Sequence, residues 1–73
     1  MDMRKIVGVN LKRRRLAAGL SQEELAVRSG LDRTYISGLE RFHRNPTVIV
    51  LYELATVLGI DPRDLLDPDV EPG

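Results

Sequence analysis

Between positions 22 and 45 the chain gathers nine polar side chains whose chemistry suits a nucleic-acid surface: Gln22, Arg33, Thr34, Tyr35, Ser37, Arg41, His43, Arg44 and Asn45. Arginine presents two parallel N–H groups that match O6 and N7 of guanine, and threonine can offer its methyl to thymine. Arg33, Thr34 and Ser37 therefore form a base-reading set if one helix points them outward together. Tyr35 can join that set through a thymine methyl, meet a phosphate, or pack as a surface aromatic. Gln22, Arg41, His43, Arg44 and Asn45 are suited to phosphate oxygens, which set register on a duplex without reading its sequence. Asn45 has a second use, because asparagine before Pro46 readily forms a turn.

Catalysis finds no comparable set. The chain has no cysteine, its single histidine has no nucleophile beside it in the pattern, and no glycine-rich phosphate loop occurs. One lone His43 does not make a metal site. The acidic positions 61, 64, 67 and 69 imitate a cation loop, but Pro62 and Pro68 interrupt it and the closing glutamate is missing. No enzyme activity, cofactor, metal or small-molecule ligand is expected.

The positioning elements follow from caps. Ser21 with Glu24 is a capping box, and Leu20 with Leu25 brackets it as a hydrophobic staple, so a helix starts at Gln22. Gly30 permits the positive φ of a tight turn. Asp32, flanked by Leu31 and Ile36, caps a further helix from Arg33 to Glu40. Leu25, Leu31, Ile36 and Leu39 then face inward, and Ala26 is small where the two helices cross. Residues 22–41 thus read as a helix-turn-helix, whose second helix enters the major groove.

Before this pair, Met3 to Ala18 forms a first helix with Asp2 as its cap and Gly19 as its stop. Ile6, Val7, Leu11 and Ala18 line its inward stripe. At about 100° per residue Arg15 falls on that same side, and a buried arginine needs a carboxylate. Arg13 and Arg14 stay wet or reach phosphates. After the pair, Thr47 caps a fourth helix, Val48 to Leu58, closed by Gly59. Asp61 caps a fifth, with Pro62 at its first position, where the missing amide costs nothing. The expected architecture is all-α, five helices in one domain over residues 1–66, followed by a flexible acidic tail at 67–73.

Length and charge agree with this reading. A 73-residue chain without cysteine must rest on helix packing, and often on a partner chain. No apolar run approaches the roughly 18 residues of a membrane span and no signal peptide opens the chain, so a soluble cytoplasmic protein without a membrane partner is expected. The net charge of zero conceals a split: residues 1–46 hold ten Lys/Arg and five Asp/Glu, residues 47–73 one Arg and six Asp/Glu. Either the basic half faces phosphate, or basic and acidic helices alternate on a solvated surface.

The chain resembles the Cro/cI-type (XRE) helix-turn-helix family from about Val7 to Leu66. The resemblance rests on Leu11-Lys12 with Arg15, Gly19 through Ala26, Gly30, Ile36-Ser37 with Glu40-Arg41, Arg44-Asn45-Pro46-Thr47, and Leu58-Gly59-Ile60. The string Arg33-Thr34-Tyr35-Ile36-Ser37 also looks like the controller proteins of restriction–modification systems. The family implies a five-helix fold, a homodimer, and operator-directed or autoregulated transcription control on double-stranded DNA. It further implies an internal ion pair between Arg15 and Glu40. Where the family often has glycine after the Glu-Arg pair, this chain has Phe42. A bulky residue in the left-handed region costs about 1–3 kcal/mol, so the helix is expected to end differently here.

Nine of the eleven residues from Val48 to Leu58 are apolar, more than one core-facing stripe requires. Val48, Leu51, Leu54, Ala55 and Leu58 supply that stripe. Ile49, Val50 and Val57, around Glu53 and beside Leu66, are left as the expected two-fold interface of a homodimer formed by the segment 48–66. The competing use of that surface is an antitoxin-like or other interaction module, with DNA binding secondary.

Overall fold

The computed structural model describes residues 2–69. Four α-helices appear in order, α1 Met3–Ala17, α2 Gln22–Ser29, α3 Arg33–Glu40 and α4 Val48–Leu58, followed by a single 3₁₀ turn, Pro62–Leu65. The caps dictate these limits. Asp2, Ser21, Asp32 and Thr47 each accept a main-chain N–H of the first turn, and the Ser21–Glu24 capping box is closed in both directions. Gly19, Gly30 and Gly59 take φ of +74°, +75° and +69°, stopping α1, α2 and α4.

The expected fifth helix is a 3₁₀ turn of four residues, so the fold has four α-helices and not five. Asp61 and Asp64 satisfy each other's amides in a capping box, and Pro62 opens the turn. Pro68 bars Asp67 from helical geometry, which leaves too few residues to offset the cost of nucleating an α-helix. The turn nevertheless packs on both α4 and α1. Of the expected acidic tail, residues 70–73 lie outside the described residues. Asp67 is tied down, since Asn10 Nδ2 donates to its carbonyl at 2.9 Å and to that of Leu65 at 3.2 Å.

The core is built from Val7 and Leu11 of α1, Leu20, Leu25 and Ala26, Ile36 and Leu39 of α3, Leu51, Leu54 and Ala55 of α4, and Leu65. Leu31 is packed against it from the side. Two expected inward positions are exposed. Ala18 lies past the end of α1, where the chain turns through Gly19 and buries Leu20 instead. Val48 opens α4 beyond the edge of the core and is 81% exposed. Conversely Gly8 and Asn10, both absent from the expected stripe of α1, are buried.

Candidate nucleic-acid interface

α1 and α2 hold α3 from behind, and their contact is fastened by one buried ion pair. Arg15 Nε donates to Glu40 Oε2 at 2.7 Å, and its second terminal nitrogen donates to Oε1 at 2.9 Å. The remaining guanidinium nitrogen donates to the Leu20 carbonyl at 2.9 Å, on the loop before α2. The two side chains are 9% and 4% exposed. A parallel two-bond pairing of this kind is the strong form of the interaction. The hydrogen bond to Glu40 raises the Arg15 pKa above the usual arginine value, against the opposing effect of burial. Gln22 Nε2 also donates to Glu40 Oε1, at 3.2 Å. The side chain expected to reach outward from the start of α2 is thus half-buried and turned toward α3.

With Ile36, Leu39 and Glu40 buried, the opposite line of α3 passes through Thr34, Gly38 and Arg41, with Ser37 to one side; Arg33 is seven residues before Glu40 and off that line, and stands free at the amino-terminal end of the helix. Arg33 and Thr34 are exposed and Ser37 is half-buried. Tyr35 lies off this line and packs partly against the core. No acidic side chain shares the outward line, because the only carboxylate of α3 is Glu40 and Asp32 is engaged in the cap. Among the described residues the ion pairs involve Arg4, Arg14, Arg15 and Arg63, so Arg33, Arg41 and Arg44 have no carboxylate partner. Arg14, expected to stay wet or reach phosphates, leans toward Asp64 of the 3₁₀ turn at 3.9 Å with a third of its side chain still exposed.

The end of α3 corrects the expectation drawn from Phe42. This residue takes φ +69°, the conformation usual for glycine there, and the helix ends in a Schellman turn. His43 N donates to the Gly38 carbonyl at 2.8 Å, and Phe42 N to that of Leu39 at 3.1 Å. The strain is offset by the ring. Phe42 lies against Gly8 of α1 so closely that a Cβ at Gly8 would be 2.6 Å from its Cδ1 and 2.5 Å from the Leu39 carbonyl oxygen. The absent side chain of Gly8 makes room for the ring, and the loop keeps the path a glycine would give it. Arg41, His43, Arg44 and Asn45 are all exposed along that loop, at one end of α3.

The residues expected at a dimer face divide into two groups. Ile49 is 69% exposed, Leu66 is 40% exposed and Glu53 is exposed, whereas Val50 and Val57 are half-buried against the core. Val48 and Tyr52, at 81% and 63% exposed, belong to the outward apolar surface and were not expected there. Their signal lay in the spacing: Val48 and Tyr52 are four apart and Ile49 and Tyr52 three apart, one face of a helix.

Against this geometry, the helix-turn-helix family HTH_3 matches residues 11–65. The chain belongs to this family of transcriptional regulators. It is 55% identical over 71 residues to the uncharacterised HTH-type transcriptional regulator y4dJ of Sinorhizobium fredii, covering 97% of this chain and 92% of that one. Among solved structures, a hypothetical transcription factor from Neisseria superposes with a TM-score of 0.89 at 40% identity, covering 93% of this chain and 78% of the other. The restriction–modification controller protein C.AhdI from Aeromonas hydrophila superposes with a TM-score of 0.82 at 48% identity, covering 85% and 94%. No helix among the described residues is long and apolar enough to cross a membrane.

Proposed function

We propose that the chain is a homodimeric regulator that binds a palindromic operator in double-stranded DNA, its own promoter included. The observation that carries this reading is the outward face of α3. Thr34 and Ser37 lie along it and Arg33 is exposed at its amino-terminal end with no carboxylate competing for the arginine, while Glu40 at the other end of the helix fixes it to α1. In this reading Arg33 pairs with a guanine edge and Thr34 and Ser37 complete the base contacts. Tyr35 contributes at the margin. Arg41, His43 and Asn45 hold the sugar–phosphate backbone at one end of α3. Gln22 joins them from the start of α2, beside Glu40, with the amide hydrogen that Glu40 leaves free and with the positive end of α2.

A single short recognition helix reads few base pairs, and a two-fold copy doubles the site. The exposed apolar surface of Val48, Ile49, Tyr52 and Leu66 supports pairing through α4 and the segment after it. Such pairing sets two recognition helices about 34 Å apart, one turn of DNA. Footprinting on the DNA upstream of the chain's own gene, together with sedimentation of the free protein, tests the proposal. Two protected half-sites one turn apart and a stable dimer are expected. A monomer that protects no DNA would overturn it and leave the apolar surface to a different protein.

A further inference from the structure

Gly38 stands on the line of α3 that points away from the core, one turn beyond Thr34, yet it is buried. What a side chain at this position would meet is Arg44. A Cβ on Gly38 would lie 3.0 Å from Arg44 Cγ, 3.3 Å from its Nε and 3.7 Å from its Cδ. The arginine stem is therefore folded back from the loop across the recognition helix. A glycine inside a helix is a poor choice for helix stability, which calls for a reason in packing. The seated arginine provides one.

We propose that Arg44 is a specificity-determining residue, reading a base pair as part of the recognition row, and that Gly38 is bare in order to seat it. The inference rests on the DNA-binding reading above and sharpens it. Arg44 belongs by sequence to the loop, where a cation is expected to grip phosphate. Its stem, however, runs over the outward face shared with Thr34 and Ser37, and its guanidinium has no carboxylate partner among the described residues. A phosphate contact needs only a charge that can reach the strand. A guanine contact needs the planar fork held in one orientation, and the surface over Gly38 restrains the stem that carries it. Gly38 acts through Arg44 and is a positioning residue.

The test is selection from random double-stranded DNA, with sequencing of the bound fraction, for the wild type, Arg44→Lys, Arg44→Ala and Gly38→Ala. The wild type should yield a two-fold motif. Arg44→Lys keeps the charge and loses the fork. It should keep that motif except at one base pair per half-site, where preference falls about tenfold to a hundredfold. Gly38→Ala should blur the same base pair while melting at or above the wild-type temperature, since alanine favours the helix. That opposition of stability and specificity would not arise from a structural role. If folded Arg44→Ala kept the full motif and lost affinity on all DNA alike, Arg44 would be a phosphate contact and the proposal would fall. A base pair still sharply read by Gly38→Ala would remove the seating role. A wild type without any motif would instead overturn the DNA-reading proposal itself, which separates the two failures.

Discussion

Replacing Glu40 by alanine should remove a large part of the domain's stability. The substitution strands the Arg15 guanidinium, which loses its bonds of 2.7 and 2.9 Å and keeps only the Leu20 carbonyl. Gln22 loses its partner as well. Both members of the pair are at least nine-tenths buried, so solvent screening does not shrink the effect. Leaving one charge of a buried pair unmatched costs about 3–5 kcal/mol. A chain of this length has a total stability of roughly 4–11 kcal/mol, at about 0.05–0.15 kcal/mol per residue. The loss is thus between about a quarter and all of it. Urea denaturation followed by circular dichroism at 222 nm measures the change. The double variant Arg15→Met, Glu40→Leu should recover most of the loss, because an apolar pair of similar volume is often neutral or better than the ions it replaces. A Glu40→Ala variant within about 1 kcal/mol of wild type would refute the reasoning, since no buried ion pair of this geometry can be that dispensable.

Four further outcomes are expected. At position 42, glycine should be more stable than alanine by about 1 kcal/mol, because alanine loses the ring yet keeps the φ of +69°; paired thermal melts of Phe42→Gly and Phe42→Ala decide it. Gly8→Ala should destabilise by about 1–3 kcal/mol despite alanine's better helix propensity, since its Cβ meets the Leu39 carbonyl oxygen at 2.5 Å; a urea midpoint at or above wild type would contradict this. Hydrogen bonds from the Ser21 amide and hydroxyl hold the Glu24 carboxyl below its ordinary value of 4.5, so its stabilising effect is complete above that pH and fades as pH falls through the lower folded value. Glu24→Gln should therefore flatten the acid limb of a stability-versus-pH curve below about pH 4.5, and an unchanged limb would remove the capping box from the account. Ile49→Glu with Tyr52→Glu should sediment as a folded monomer with weakened operator binding, as both side chains are exposed and neither supports the core; a variant still dimeric would move the interface elsewhere.

Much of this was readable from residue types because caps are local. Ser21, Asp32, Thr47 and Asp61 act within three residues, so short strings sufficed to set where each helix begins. The buried side of Arg15 was likewise legible, because helical periodicity places it with Leu11. What escaped were features decided between distant elements. The bareness of Gly8 and the strain of Phe42 make sense only together, and 34 positions separate them. Asn10 has no place in the apolar stripe of α1, and only the chain around Leu65 and Asp67, whose carbonyls accept its amide hydrogens, accounts for its burial. Val48 fitted an apolar stripe by angle, but the core ends before it, and periodicity does not report where a core ends. The fifth helix failed on length alone, with prolines at 62 and 68 framing one turn.

The most direct measurement is fluorescence anisotropy of wild type and Arg33→Ala on the selected operator and on a scrambled duplex of equal length. If α3 reads bases, Arg33→Ala loses about 1–3 kcal/mol on the operator and almost nothing on the scrambled duplex, with the salt dependence of non-specific binding unchanged. Equal losses on both duplexes would make Arg33 a phosphate contact and contradict the assignment of the recognition face.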